Sequence, residues 1–496
     1  MARIAVIGAG MGALAAAARL AVAGHRVAVY ERTDTYGGAL RRFERDGFSF
    51  DTGPGLLPLP AVYRDLFVKT GKEPLEACVE LVQVDPSSRH AFADGTAVSL
   101  PNASRAGVVA ALDEALGSGA GGRWGDFLVR AREAWDRTRR PLLEEPLWPN
   151  WQVLAEREPY PAVPHKRLLR TRRAGTLAEI GAWELRDPRL AALLESHALA
   201  YGLDPRTAPA SAAVLPYMEH AFGTWYVRGG LRELARAVYE RCLARRVEFH
   251  FGSDVTGVRE KDGRVSGIEL ADGAVAEADF VVAGVAPAVL DRLTAGQVLR
   301  GDGDAPPQPP AAGRLTALLA LRGARPEGTA HRTVVHTPDR EAEAEALFGA
   351  GAPGASPTVT VLRPGDPRTA PEGHEAVTLS AVVPARLGLP WGELVERMIT
   401  VAERAVPDLR DRLLWHEVRT PADIAEATGA EGGAVPVPAL AAAGGRLLHP
   451  AATTRVPGLF TVGGWTHPGG GLPHAGMSGA LVAGLIVEGP EFRGSQ

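Results

Sequence analysis

At 496 residues, with 46% hydrophobic and 23% charged residues, the chain has a globular balance and length for about two to four domains. Its formal net charge of −4 gives no global reason to expect nucleic acid, and two cysteines, Cys78 and Cys242, make neither a disulfide framework nor a zinc site. A reducing, cytoplasmic setting is expected, without a membrane span, because no run of about 20 apolar residues is uninterrupted.

Taken in chain order, residues 3–7 (RIAVI) read as a buried strand, 11–23 as an alanine-rich helix ended by Gly24, and 26–31 (RVAVYE) as a second strand. Glycines at 8, 10 and 12 break this apolar start, which sets aside a signal peptide. The stretches 123–140 and 174–200 look helical, and the proline-rich 141–173 between them reads as loop. From 228, RGGLRELARAVYERCLAR has a helical pattern. The following 247–284 alternates as short strands with turn signals at KDGR (261–264) and ADGA (271–274), a β-meander returning to the main sheet. Residues 301–313 are a low-complexity linker and 348–357 a surface loop. Strands are expected at 333–336, 358–362 and 375–383, an amphipathic helix at 392–407, a strand at 459–464 and a small-residue helix at 475–489.

The turn Gly8-Ala9-Gly10-Met11-Gly12-Ala13 lies between a strand and a helix, the setting a dinucleotide fingerprint requires. Its first glycine permits the tight turn, the second admits the pyrophosphate, and the small third position, Ala13, allows close helix–strand contact. The helix N-terminus offers free N–H groups and partial positive charge to phosphate. Glu31, closing the second strand, is placed to accept hydrogen bonds from ribose hydroxyls, and Arg32 beside it is counted with the site. The bland alternative is a close-packed turn without ligand. The fingerprint alone does not separate FAD from NAD.

Two further segments bear on that choice: Tyr36-Gly37-Gly38 with RDGFSFDTGPG (45–55), and GLFTVGGWTHPGGGLPHAGMSGALVAGLI (458–486). Together with WYVRGGLRELARAV (225–238) they resemble the carotenoid (phytoene) desaturase family within the amine-oxidase-like flavoproteins. The resemblance implies FAD. A cofactor this long needs a second surface beyond one strand–helix–strand unit, and Gly463, Gly464, Gly469, Gly470 and Gly471 would bring backbone N–H groups to the flavin. The last helix, expected to start near Gly476-Met477-Ser478, would set its positive end by the flavin N1–C2=O edge. Val255 matches the place where related folds hold adenine; the alternative is an ordinary strand valine. Many relatives carry arginine directly after the glycine pair, whereas here Ala39 and Leu40 follow and Arg41 and Arg42 are displaced. That departure weakens transfer of the carotenoid activity but not of FAD binding.

His467 is the best-placed titratable residue beside the presumed flavin, as proton relay or flavin contact; otherwise it fixes its loop. His474 is a weaker counterpart. Trp465 walls the cavity or packs the loop. Tyr226 and Trp225 line the same cavity on this reading, while Glu219 and His220 are spare acid–base candidates or structural. His165, Lys166, Arg167, Arg170, Arg172 and Arg173, near Trp148, Trp151 and Tyr160, mark peripheral membrane contact or a solvated loop.

The expected fold is α/β: a Rossmann-type FAD-binding domain from 1–75, 222–300 and 425–496, plus a mixed-sheet and helical substrate domain from 76–221 and 301–424, with a mostly apolar cavity between. No metal site is expected. The expected activity is FAD-dependent dehydrogenation of a small, largely apolar polyene, terpenoid or secondary-metabolite substrate. The alternatives are flavin-dependent isomerisation, cyclisation or double-bond reduction, a non-catalytic lipid or prenyl carrier, and a plain NAD-linked dehydrogenase. Oligomeric state and electron acceptor are not legible.

Overall fold

A computed structural model of the chain describes residues 1–165, 170–296, 312–349, 351, 356–384 and 389–494. Lys166 and Arg167, residues 301–311 of the expected linker, and 350 and 352–355 of the expected loop lie outside the described residues.

Strand β1 (Arg3–Ile7), helix α1 (Met11–Val22) and strand β2 (Arg26–Glu31) form the expected crossover unit. β1 is central in a five-stranded parallel sheet, ordered Glu248–Phe251, β2, β1, Phe280–Ala283, Leu459–Thr461. Parallel sheets need cover on both faces, so their strands run apolar throughout. Ile4 and Val6 pack into the layer that holds α1, the helix Arg232–Ala244 and the helix Leu472–Val487. Ala5 and Ile7 pack the other way, against Val255, Val265 and Ile268 of a three-stranded antiparallel sheet. That sheet is the expected meander: Val255–Lys261, Arg264–Leu270 and Val275–Glu277.

A close backbone contact joins the two ends of the chain. A Cβ on Gly479 would stand 2.6 Å from the Gly12 carbonyl oxygen and 2.7 Å from Ala15 Cβ. One on Gly12 would stand 2.8 Å from Gly463 Cα. Fully buried Ala15, Ala16, Ala17 and Ala18 complete the small-residue interface.

The second sheet has seven strands, ordered Leu413–Arg419, Ala312–Arg322, His374–Pro384, Val359–Leu362, Arg332–Val335, Ser88–Ala91, Ala97–Leu100. Leu315, Leu319, Val361 and Leu379 on one face pack beneath the amphipathic helix Trp391–Ala402. A helical cluster, including Ala120–Arg139, Pro188–Leu199 and Val214–Phe222, encloses the third core.

Four expectations are corrected. Ala312–Arg322, an 11-residue core strand, begins inside the expected linker and is absent from the strands expected. Leu315 and Leu319 bury on one face while Leu318 and Ala320 meet Phe48 and Phe50 on the other, so period-2 alternation is lost. The expected loop 141–173 holds a π-turn (Arg140–Glu144), a short helix (Gln152–Glu156) and a hairpin (Val163–His165 with Arg170–Arg172). The expected helix over 174–200 is interrupted by a π-turn at Gly181–Leu185 and restarts at Pro188, which Asp187 caps. The last helix starts at Leu472, a turn before Gly476, because Pro473 fits a first turn whose N–H groups have no helical acceptor.

Gly479→Val is expected to destabilise the fold by about 1–3 kcal/mol through overpacking at the junction of the two ends. Gly122, exposed in the first turn of Ala120–Arg139 with nothing within 4 Å of an added Cβ, is the control: Gly122→Ala is expected to be neutral or stabilising by up to about 1 kcal/mol. Urea denaturation of both variants checks this.

Candidate cofactor and substrate cavity

Gly8, at φ +87°, turns the chain out of β1 and donates its N–H to the Tyr30 carbonyl at 2.8 Å. Gly10 precedes α1, and a Cβ there would meet nothing within 4 Å, so its backbone faces open cavity. No side chain caps α1 and no acidic residue occupies its first turn. Its first N–H groups and partial positive charge are left for an anion. Glu31 is fixed from both sides, accepting from Ala9 N at 2.8 Å and Thr33 N at 2.9 Å. Gly37 N donates to the Ala9 carbonyl at 2.7 Å, seating the second glycine pair on the turn. Arg41 donates to the Gly38 and Ala427 carbonyls, and Arg32 to the Glu426 carbonyl. These residues, with Met11, Gly12, Ala13, Gly37, Gly38 and Val255, line one end of a cavity of about 600 Å³.

The C-terminal loop lines its middle through Gly463, Gly464, Trp465 and Gly471–Ala475. Gly471, at φ +96°, precedes a helix with no side-chain cap. Gly469 and Gly470 serve a different contact than expected: added Cβ atoms would stand 2.6 Å from the Val437 oxygen and 1.9 Å from the Pro436 oxygen, so the glycines let two backbone segments meet. Gly476, Met477 and Ser478 do not line the cavity. Gly476 abuts Val62 and Tyr63, Met477 packs into the helical core, and the Ser478 hydroxyl accepts from Gly463 N at 2.8 Å. Ser478 therefore holds a lining residue in place.

Two expected catalytic residues are also elsewhere. His467 is buried and its Nε2 bonds the Glu145 carbonyl oxygen at 3.0 Å, which ties the loop down. The Tyr226 hydroxyl donates to Asp366 Oδ2 at 3.0 Å, and Trp225 Nε1 to the Phe222 carbonyl. Trp465 does face the cavity, and so does His474, whose Nδ1 has no hydrogen-bond partner although the residue is buried.

The far end is formed by the second face of the seven-stranded sheet and by the helices Pro188–Leu199 and Val214–Phe222. Arg314, Thr316, Thr360, Thr378 and Ser380 alternate with the core residues behind them, so this part of a mostly apolar cavity carries polar side chains. Glu219 lines it too, in a two-pronged ion pair with Arg332 (one contact 3.0 Å) and 3.9 Å from His197. Burial alone would raise the Glu219 carboxyl, but Arg332 and His197 beside it hold it below the usual range. His90 Nδ1 and His336 Nε2 lie 2.9 Å apart, and burial keeps His90 neutral. Glu219 thus belongs to the cavity wall; His220 does not. The alternation of Arg314 with Thr316, and of Thr378 with Ser380, is the sequence signal that marks this wall.

Of the basic cluster, Arg172 stacks over Trp183 at 3.4 Å from the ring centroid. Its aromatic neighbours turn inward: Tyr160 is buried with its hydroxyl on Glu184, and Trp151 packs at Gly445. Among the described residues no helix is long and apolar enough to cross a membrane, and no cluster of metal-ligating side chains occurs.

Burial lowers the pKa of His449 and His467 to about 4 and of His474 to about 3, against 6.5 unfolded. A base whose pKa drops on folding contributes stability that is complete above its unfolded pKa and lost as pH falls toward the folded one. Lowering pH from 7.5 to 5 is expected to cost about 2 kcal/mol for each such histidine, read as a fall in the urea midpoint, and His474→Gln is expected to remove one share of that loss.

Residues 14–487 match the family described as flavin containing amine oxidoreductase. The chain is 30% identical to the 4,4'-diapolycopene oxygenase of Methylomonas sp, over 98% of each chain. It is 28% identical to the zeta-carotene-forming phytoene desaturase of Myxococcus xanthus, over 98% of this chain and 94% of that one. Its fold is similar to the crystal structure of an oxidoreductase from Methanosarcina mazei, with a TM-score of 0.64, 18% identity, and 97% and 99% of the two chains covered. The family match spans nearly the whole chain and includes most of the cavity wall, and this FAD-dependent oxidoreductase belongs to the flavin-containing amine oxidoreductases, in their carotenoid desaturase-like branch.

Proposed function

We propose that the protein dehydrogenates a largely apolar polyene or terpenoid chain lying in the far half of the cavity. The observation that carries this reading is the continuity of the cavity: one space runs from the nucleotide turn, past Trp465 and Gly471, to the seven-stranded sheet. The fit to FAD rests on two uncapped helix starts facing that space, the open backbone at Gly10 and the fixed carboxylate of Glu31. The N–H groups of Gly10, Met11, Gly12 and Ala13 would hold the pyrophosphate, Glu31 the ribose, and Arg32 and Val255 the adenosine end. Gly37 and Gly38 close over the turn, and Gly463, Gly464 and Gly471 would meet the flavin.

When bound, FAD supplies the hydride acceptor. The chain's own part is to orient the substrate and exclude water. Trp465 closes one wall, while Ser478 and His467 fix the loop that carries it. His474, neutral through the physiological range, adds a polar atom to the cavity without adding charge.

The purified protein is expected to show flavin absorbance and to release FAD. Under anaerobic conditions an all-trans polyene is expected to bleach that absorbance and emerge two hydrogens poorer. Retained flavin that no polyene bleaches would overturn dehydrogenation, and a colourless protein that takes up no FAD would overturn the oxidoreductase itself. Glu31→Ala removes both the ribose acceptor and the tie to Ala9, and FAD affinity is expected to fall at least about tenfold, measured by flavin fluorescence titration.

A further inference from the structure

The far wall of the cavity carries two arginines that the dehydrogenation of a hydrocarbon does not use. Arg314 and Arg419 both line it. Thr316 is the register partner of Arg419 on the neighbouring antiparallel strand. Arg419 therefore projects from the same sheet face as Thr316 and as Arg314, two residues along the strand. The two arginines are diagonal neighbours, roughly 7 Å apart at the backbone.

Two other arginines with restricted access to water are matched by carboxylates. Arg332 faces Glu219 and Arg363 faces Glu375. Arg314 donates only to the Ala200 carbonyl, at 2.5 Å, and among the described residues no carboxylate lies within 4 Å of either Arg314 or Arg419. Burial holds the Arg314 guanidinium below its usual pKa. Removing a cation from water is costly unless a counter-charge accompanies it. Tyr201 lines the same wall, its hydroxyl 3.7 Å from where a Cβ on Gly471 would stand. Burial and then Glu219 raise its pKa, so it keeps its proton and can donate.

The pair is also separate from the nucleotide end. Arg32 and Arg41 bond carbonyls at the C-terminal end of the helix Pro421–Thr428, at Glu426 and Ala427. Arg419 precedes its N-terminal end, about 12 Å away at 1.5 Å per residue.

We propose that Arg314 and Arg419, with the Tyr201 hydroxyl, anchor a carboxylate at one end of an otherwise apolar substrate. Two guanidinium forks match a carboxylate's paired oxygens better than a lone hydroxyl or a hydrocarbon terminus. A wall built to bond an anion disfavours a ligand that leaves its donors unpaired. The carboxylate sets which end of the chain enters and how far it slides, and so which carbon reaches the redox centre. This proposal rests on the polyene reading above and narrows it to polyene acids.

The test uses the FAD-loaded protein and two probes, a linear polyene monocarboxylic acid and its methyl ester, titrated against the flavin absorption spectrum. The acid is expected to bind at least about tenfold tighter than the ester. Arg314→Met and Arg419→Met are each expected to erase that preference while leaving ester affinity within about twofold, and Tyr201→Phe to reduce it in part. Retained FAD absorbance reports that each variant is folded, and either arginine variant suffices if the other loses flavin. Equal binding of acid and ester by the wild type, or a preference that survives both arginine substitutions, overturns the anchor and leaves the dehydrogenase reading standing. Flavin that responds to neither probe overturns both.

Discussion

The contact on which the rest of the molecule depends is the approach of α1 to the C-terminal helix through Gly12, Gly463 and Gly479. At that distance no side chain fits between the two backbones. The contact fixes the nucleotide turn and the C-terminal loop in one frame, although they lie at opposite ends of the sequence. Both helices start at the cavity without a side-chain cap. Their positive ends therefore share one space, which suits an elongated, negatively charged cofactor better than either end alone.

A second constraint shapes the substrate half. The seven-stranded sheet is covered on one face by the helix Trp391–Ala402, so that face follows ordinary core chemistry. Its other face stays core where Leu318 and Ala320 meet Phe48 and Phe50, and the part that meets the cavity is released from that demand. Threonine, serine and arginine appear there at alternate positions, with Arg332 paired to Glu219 of the helix Val214–Phe222. Hydroxyl-bearing β-branched residues keep the strand propensity while leaving polar atoms free. The two faces of one sheet thus separate stability from recognition.

The strand–turn–helix–strand unit is legible in the sequence because its physics is local: glycine spacing, a buried strand and a terminal carboxylate lie within one supersecondary unit. The meander is legible for the same reason, through Asp262-Gly263 and Asp272-Gly273 at its turns. The strand Ala312–Arg322 is not, because burial on both faces removes the alternation that marks a strand. Proximity in sequence also misplaces His467 and Tyr226. Each sits beside lining residues yet turns away, to Glu145 and to Asp366, partners more than 100 residues distant. Glu219 shows the reverse: it lines the cavity and pairs there with Arg332, far along the chain. Local pattern identifies the cofactor end; the substrate end depends on long-range pairing that no short window contains.

The strand Leu459–Thr461 and the helix Leu472–Val487 leave the ribosome long after α1, yet the strand completes the parallel sheet beside Phe280–Ala283 and the helix covers α1. During synthesis, α1 and its row of alanines wait with an uncovered flank until that helix emerges. The nascent protein thus carries an exposed apolar surface of its own making, a natural target for a holding chaperone. Both halves of the cofactor site come together only after that strand and helix have emerged, and a chain cut before Leu459 carries an orphaned half-site rather than a weakened enzyme.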